Sequence, residues 1–168
     1  RRSSLPLDAD GDADADPVAH TLRNPPADRL HNRYPPAHGV ALAARADVAD
    51  VTIGQFNHIY PGVVIGGDPQ DVSYRGSNTK VVIGDHNIVR ECVTINRATT
   101  DEQETRLGSG NLLMAYSHLG HNCELGDRIV IANGVAVAGH VVVGDRAVIG
   151  GVLGIHQFVH IGTMAMVG

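Results

Sequence analysis

The sequence predicts an all-β chain, a stacked solenoid of short parallel strands with two loop excursions and a disordered N-terminal tail. Three observations predict it. From Leu107 to the last residue every sixth position is aliphatic, eleven in succession: Leu107, Leu113, Leu119, Leu125, Ile131, Val137, Val143, Ile149, Ile155, Ile161 and Val167. The residue after each is small, with only Met114 and His156 departing. Two residues before each stand mostly small or apolar side chains, such as Ser117, Cys123, Ile129, Val135, Val141 and Ala147. A period of six is neither the 3.6 of a helix nor the 2 of a long strand, and it fits a short strand and a bend, repeated. Alternation within the strand turns positions i and i−2 to one face. The small residue at i+1 suits a tight bend. Such a unit cannot bury its apolar face alone, so the units stack. A β-sandwich would space its strands irregularly, at about 8–12 residues.

Composition agrees. The chain has 168 residues, about one domain. Aromatic residues are 4 %, Trp is absent and Gly numbers 20, a mix suited to a tightly turning β-solenoid. A net charge of −5 gives no basic patch for nucleic acid. Cys92 and Cys123 make no disulfide framework, and Cys123, in an inward i−2 slot, reads as a small buried hydrophobe. No apolar run approaches the roughly 18 residues of a membrane span, and no apolar segment follows Arg1 and Arg2 as a secretory signal would require. The expected setting is cytoplasmic. The chain begins without Met and ends in mid-repeat. Because a solenoid needs capped ends, it is read as incomplete at both.

Residues 1–47 lie outside the pattern and form the expected tail. Asp8, Asp10, Asp12, Asp14 and Asp16 alternate with Ala and Gly. An EF-hand loop counted from Asp8 would need Gly and Glu where Ala13 and Ala19 stand, so the calcium reading fails. Residues 48–168 form the solenoid domain. The repeat starts near Val51, with Ile53, Ile59 and Ile65 spaced by six, then Ile83, Val89 and Ile95. Two polar stretches interrupt it without losing register, Gly67–Lys80 and Arg97–Arg106. Excursions from a solenoid map to loops on one face, often the binding face; tolerated surface insertions are the equal alternative.

With this repeat the chain resembles the hexapeptide-repeat acyltransferases. The resemblance implies a left-handed parallel β-helix in which three hexads make one triangular coil of eighteen residues. Residues n and n+18 then stack about 4.8 Å apart. His121, Gly139 and Gln157 form one file; Asn122, His140 and Phe158 the next; Gly120, Ala138 and His156 the one before. With His118 on the preceding strand, His118, His121, Asn122, His140, His156 and Gln157 gather at one corner. A neutral imidazole near pH 7 can act as a general base. Gly139, beside His121, offers a bare backbone N–H that can stabilise an oxyanion. Acyl transfer from a thioester to a hydroxyl needs that pair. No Ser or Cys nucleophile stands in these files, which points to direct transfer. Two rival readings of the corner are a zinc site of three histidines and turn or interface histidines without chemistry. The first lacks an HxxxH-type pair and a carboxylate to orient the rings, so neither metal nor cofactor is expected.

The motifs NLLMAYSHLGHNCELGD (Asn111–Asp127), IANGVAVAGHVVVGD (Ile131–Asp145), GIHQFVHIG (Gly154–Gly162), IGDHNIVRECVTINR (Ile83–Arg97) and QDVSYRG (Gln70–Gly76) narrow the resemblance. They resemble the branch of that family formed by the acyl-[acyl-carrier-protein]–UDP-N-acetylglucosamine O-acyltransferases, over about Val51 to Gly168. What the resemblance implies is transfer of a 3-hydroxyacyl chain from acyl carrier protein to the glucosamine 3-hydroxyl, the first step of lipid A biosynthesis, by a homotrimer with sites between subunits. It implies His121 as general base and Gly139 as oxyanion donor. His118, His140, His156 and Gln157 fall on contacts to the nucleotide sugar or the thioester, Asn122 stands beside the base, and Asp71 falls on a sugar-binding acid. Two positions depart from the usual pattern: Asn122 where many members have Asp, and Ser73 where many have Lys. An amide orients a ring without charging its surroundings. N-acylation of an amino-sugar nucleotide and a non-catalytic trimeric β-helix fragment stand as alternatives.

Overall fold

The computed structural model describes residues 51–168, so the expected tail, residues 1–47, lies outside the described residues. These form a left-handed parallel β-helix of 17 short strands, β1 (Val51–Ile53) to β17 (Met166–Val167), with no helix among them. Every third strand joins the same sheet. One sheet runs β1-β4-β7-β10-β13-β16, the second β2-β5-β8-β11-β14-β17 and the third β3-β6-β9-β12-β15. All pairings are parallel. The three sheets are the faces of a triangular prism. From Leu107 onward the register is the expected eighteen, as in Leu125 on Leu107 and Val143 on Leu125.

The hexad aliphatics fill the prism. Leu113, Leu119, Ile131, Val137 and Ile149 are fully buried, and so are the i−2 residues Cys123, Ile129, Val135, Val141 and Ala147. These two positions of the repeat therefore build one continuous apolar core. Burial pushes the Cys123 thiol up to about 11, which fits a packing role.

The expected reason for the small i+1 residue is corrected. None of Gly108, Gly120, Gly126 and Gly144 has a positive φ. They are small because coils approach closely there. A Cβ on Gly120 would lie 2.8 Å from the Ala138 carbonyl carbon and the Gly139 nitrogen, too near for any side chain. The bend falls two residues later, at i+3. Twelve non-glycine residues take φ near +60°, among them Asn122, His140, Phe158, Arg128 and Arg146. That conformation is unfavourable for L-residues. Bonds to the coil before offset the cost: His140 N–H donates to His121 O (2.9 Å), Arg146 N–H to Asp127 O (2.8 Å), Val152 N–H to Asn133 O (2.9 Å) and Asn122 N–H to Thr105 Oγ1 (2.9 Å).

A buried asparagine ladder joins successive coils at another corner. Asn87 N–H donates to Asn57 Oδ1, Asn111 N–H to Asn87 Oδ1, and Ile129 N–H to Asn111 Oδ1, at 2.7 to 2.9 Å. Asn87 and Asn111 are buried. Parallel to it, Asp127 Oδ1 accepts Ser109 N–H and Asp145 Oδ1 accepts Asp127 N–H.

The two interruptions are loops that leave the coil and return in register. Val51 pairs with Val81, thirty residues on, and Thr94 with His118, twenty-four on. The first loop lies between β3 (Val64–Gly67) and β4 (Lys80–Ile83), the second between β6 (Thr94–Asn96) and β7 (Glu104–Leu107). Both loops bring residues to the corner that carries the histidines.

Candidate acyl-transfer site

A groove of about 480 Å³ runs along that corner, lined by Gln70, Asn96, His118, Gly120, His121, Ala136, Val137, Ala138, Gly139, Gly154, Ile155, His156 and Gln157. Of the residues expected there, His118, His121, Gly139, His156 and Gln157 form its wall. Asn122 and His140 stand beside it, behind the His121 ring.

His118, on β9 (His118–Leu119), points from the third sheet, where Thr94 lies below it and Ala136 above. Its Nδ1 is 2.7 Å from Thr94 Oγ1. Burial, and then the neighbouring His121, push its pKa down, which favours the neutral ring. His121 lies at the turn after β9 and is buried, with 4 % exposure. Gly139 is packed directly against its ring: a Cβ there would lie 2.5 Å from Nε2 and 2.8 Å from Nδ1. Only glycine fits.

The ring's orientation is set by Asn122. Its Oδ1 is 2.9 Å from His121 Nδ1. The same Oδ1 accepts Thr99 N–H at 3.1 Å and Thr99 Oγ1–H at 3.0 Å, while Nδ2 donates to Gln103 Oε1 at 2.6 Å. A backbone N–H can only donate, so the atom facing it is an acceptor oxygen. In the neutral ring this places the His121 proton on Nδ1 and the lone pair on Nε2. Asp71 approaches that nitrogen from the first loop, with Oδ2 at 3.8 Å from Nε2. The Ser73 hydroxyl and N–H both donate to Asp71 Oδ1, at 2.6 and 2.7 Å, and hold the carboxyl below the usual carboxylate range.

His140 closes the outer side. It meets His121 edge to face, at 5.1 Å between centroids, and stacks on Phe158 at 4.8 Å. Burial, then the charge of His121, lowers its pKa, with Asp71 acting the other way. Ala138 N–H donates to Ile155 O and His140 N–H to His121 O. The Gly139 N–H between them has no backbone acceptor among the described residues. His156, exposed, has Nδ1 3.2 Å from Gln157 O. Among the described residues no three His, Cys, Asp or Glu side chains are grouped to hold a metal ion.

Gln70, Asn96, Thr94, Thr99 and Gln103 were not singled out from the sequence. Thr94 and Asn96 were within reach: the third hexad of a coil ends at Ile95, and Ile95 pairs with Leu119. That places Thr94 below His118 and Asn96 below Gly120. The loop residues Gln70, Thr99 and Gln103 belong to no period and left no signal.

A histidine held by its Nδ1, a glycine against its ring and a backbone N–H without a backbone acceptor are parts a hydroxyl-to-thioester transfer can use. The comparisons point the same way. The bacterial transferase hexapeptide family (six repeats) matches residues 104–139. The acyl-[acyl-carrier-protein]–UDP-N-acetylglucosamine O-acyltransferase of Gloeothece citriformis (strain PCC 7424) is 58 % identical over 116 residues, 69 % of this chain and 42 % of that protein. The enzyme of the same name from Pseudomonas savastanoi pv. phaseolicola is 47 % identical over 113 residues, 67 % of this chain and 44 % of its own length. The crystal structure of the Moraxella catarrhalis RH4 UDP-N-acetylglucosamine O-acyltransferase superposes with a TM-score of 0.66 at 44 % identity, covering 70 % of this chain and 49 % of that one. Over its described residues the chain is thus similar to hexapeptide-repeat acyltransferases. It spans less than half the length of the curated relatives it matches, 42 % of the Gloeothece protein. No described helix is long and apolar enough to cross a membrane.

Proposed function

We propose that this chain transfers a 3-hydroxyacyl group from acyl carrier protein to the 3-hydroxyl of UDP-N-acetylglucosamine, the first step of lipid A biosynthesis. The observation that carries the reading is the packing of Gly139 against a His121 ring whose Nδ1 is held by the Asn122 amide oxygen. His121 Nε2 takes the sugar hydroxyl's proton as the oxygen attacks the thioester carbon. The Gly139 N–H donates to the oxyanion of the tetrahedral intermediate. The carbon–sulfur bond then breaks, and the imidazolium returns its proton to the departing thiolate. His118, His156 and Gln157 line the path of the sugar nucleotide and the thioester. Asp71 binds the sugar, while Asn122 and His140 fix the base. No cofactor takes part.

The transferase domain is residues 48–168, acting as a cytoplasmic homotrimer whose sites lie between subunits. Incubation with 3-hydroxyacyl carrier protein and UDP-N-acetylglucosamine, followed by mass spectrometry, tests the reading. An O-acylated sugar nucleotide is expected. Product only from the 3-amino analogue would contradict it in favour of N-acylation, and no product from a folded trimer would contradict both.

A further inference from the structure

The base of this chain has an amide, Asn122, on its Nδ1 side. The Oδ1 of Asn122 fixes the ring but brings no net charge, so the imidazolium formed during transfer has no counter-ion there. The other side of the ring is different. The first loop delivers the Asp71 carboxylate to 3.8 Å from Nε2, with 27 % exposure. Ser73 clamps its far oxygen with two hydrogen bonds, so Oδ2 is left to face the ring. The other titratable groups that face His121 are His118, from the strand before it, and His140, from the next coil. Neither can supply negative charge.

We propose that Asp71, besides its contact with the sugar, is the counter-ion of the His121 imidazolium and supplies from the loop the charge that position 122 lacks. The inference rests on the acyl-transfer reading for its role, though the ion pair itself is observable without substrate. In the step it serves, the sugar oxygen bonds to the thioester carbon and its proton moves to Nε2. The ring is then positive until the carbon–sulfur bond breaks and the thiolate takes that proton. Asp71 gains and loses nothing. It stabilises the charged ring between the two transfers. Ser73 contributes by keeping the carboxylate ionised and aimed.

Two measurements on the trimer test this, using Asp71→Asn, Asn122→Asp and the double variant. The first is the His121 Cε1 NMR titration in substrate-free protein, with His121→Gln to assign the signal. An opposite charge this close favours the protonated ring. The midpoint should therefore fall in Asp71→Asn, rise in Asn122→Asp, and return towards wild type in the double variant. A midpoint unmoved by Asp71→Asn overturns the proposal. The second is the pH profile of turnover. In Asp71→Asn, kcat should drop at least about tenfold, the acidic limb should move down with the midpoint, and the double variant should recover kcat. A higher sugar KM with kcat and the limb unmoved overturns the proposal and reduces Asp71 to a sugar contact. If wild-type protein turns nothing over, the acyl-transfer reading fails, and the titration alone decides the ion pair.

Discussion

His121 owes its tautomer to a single backbone donor. The Thr99 N–H fixes which end of the Asn122 amide faces the ring, and the amide oxygen then fixes the proton on Nδ1. His121→Ala should therefore lower turnover about 100- to 10,000-fold, as loss of a general base does, with the oligomeric state unchanged by light scattering. Turnover within a few-fold of wild type would contradict the base assignment. Gly139→Ala places a methyl inside the space of the imidazole. It should cost about 100-fold in kcat, and the His121 NMR signal should shift. The histidine corner was legible in the sequence because His118, His121, His140 and His156 sit at fixed places in a regular repeat. Asp71, Thr99 and Gln103 were not, because each reaches the corner from a loop whose path no period describes. The resemblance named Asp71 as a sugar contact; its approach to Nε2 required the structure.

The hexad strand explains why the period was so readable. The aliphatic at i and the small or apolar residue at i−2 both face a prism with no room to spare, so each slot tolerates few side chains. The bend was misread because smallness has two causes. At i+1 it answers the approach of the next coil, whereas the left-handed turn at i+3 accepts Asn122, His140, Arg146 and even Val152 once its N–H is bonded to the coil before. Gly120→Ala separates the causes. Its methyl would meet the Ala138 carbonyl carbon and the Gly139 nitrogen at 2.8 Å. It should destabilise the fold by about 1–3 kcal/mol in urea and cut turnover by crowding the oxyanion donor. The asparagine ladder carries a second test. Asn111→Ala leaves the buried Ile129 N–H without its acceptor. It should cost about 1–3 kcal/mol of unfolding free energy. The eighteen-residue step from Ile65 to Ile83 was ambiguous in sequence: it equals a full coil, yet Ile83 pairs with Ile53, so the step is one hexad plus a loop.

The molecule as a whole combines a rigid prism with a corner whose neighbouring imidazoles are partly desolvated. His118 and His140 have pKa values lowered in the folded state, chiefly by burial. Between the folded value and the unfolded value near 6.5, the unfolded chain binds more protons, so stability rises with pH through that window. Their contribution is fully present above about 6.5 and is lost as pH falls. Unfolding free energy should therefore decline from pH 7.5 to 5.5, and His118→Gln should flatten that decline. A melt insensitive to pH over this range would contradict the burial argument. The central claim is that His121 and Gly139 form one acceptor–donor pair around a sugar hydroxyl and a thioester. A crystal structure of the protein with UDP-N-acetylglucosamine tests it most directly. The account predicts the glucosamine 3-hydroxyl within about 2.6–3.2 Å of His121 Nε2, with the Gly139 N–H opening onto the same space. A sugar bound away from this corner, or turned with another hydroxyl towards Nε2, would contradict it.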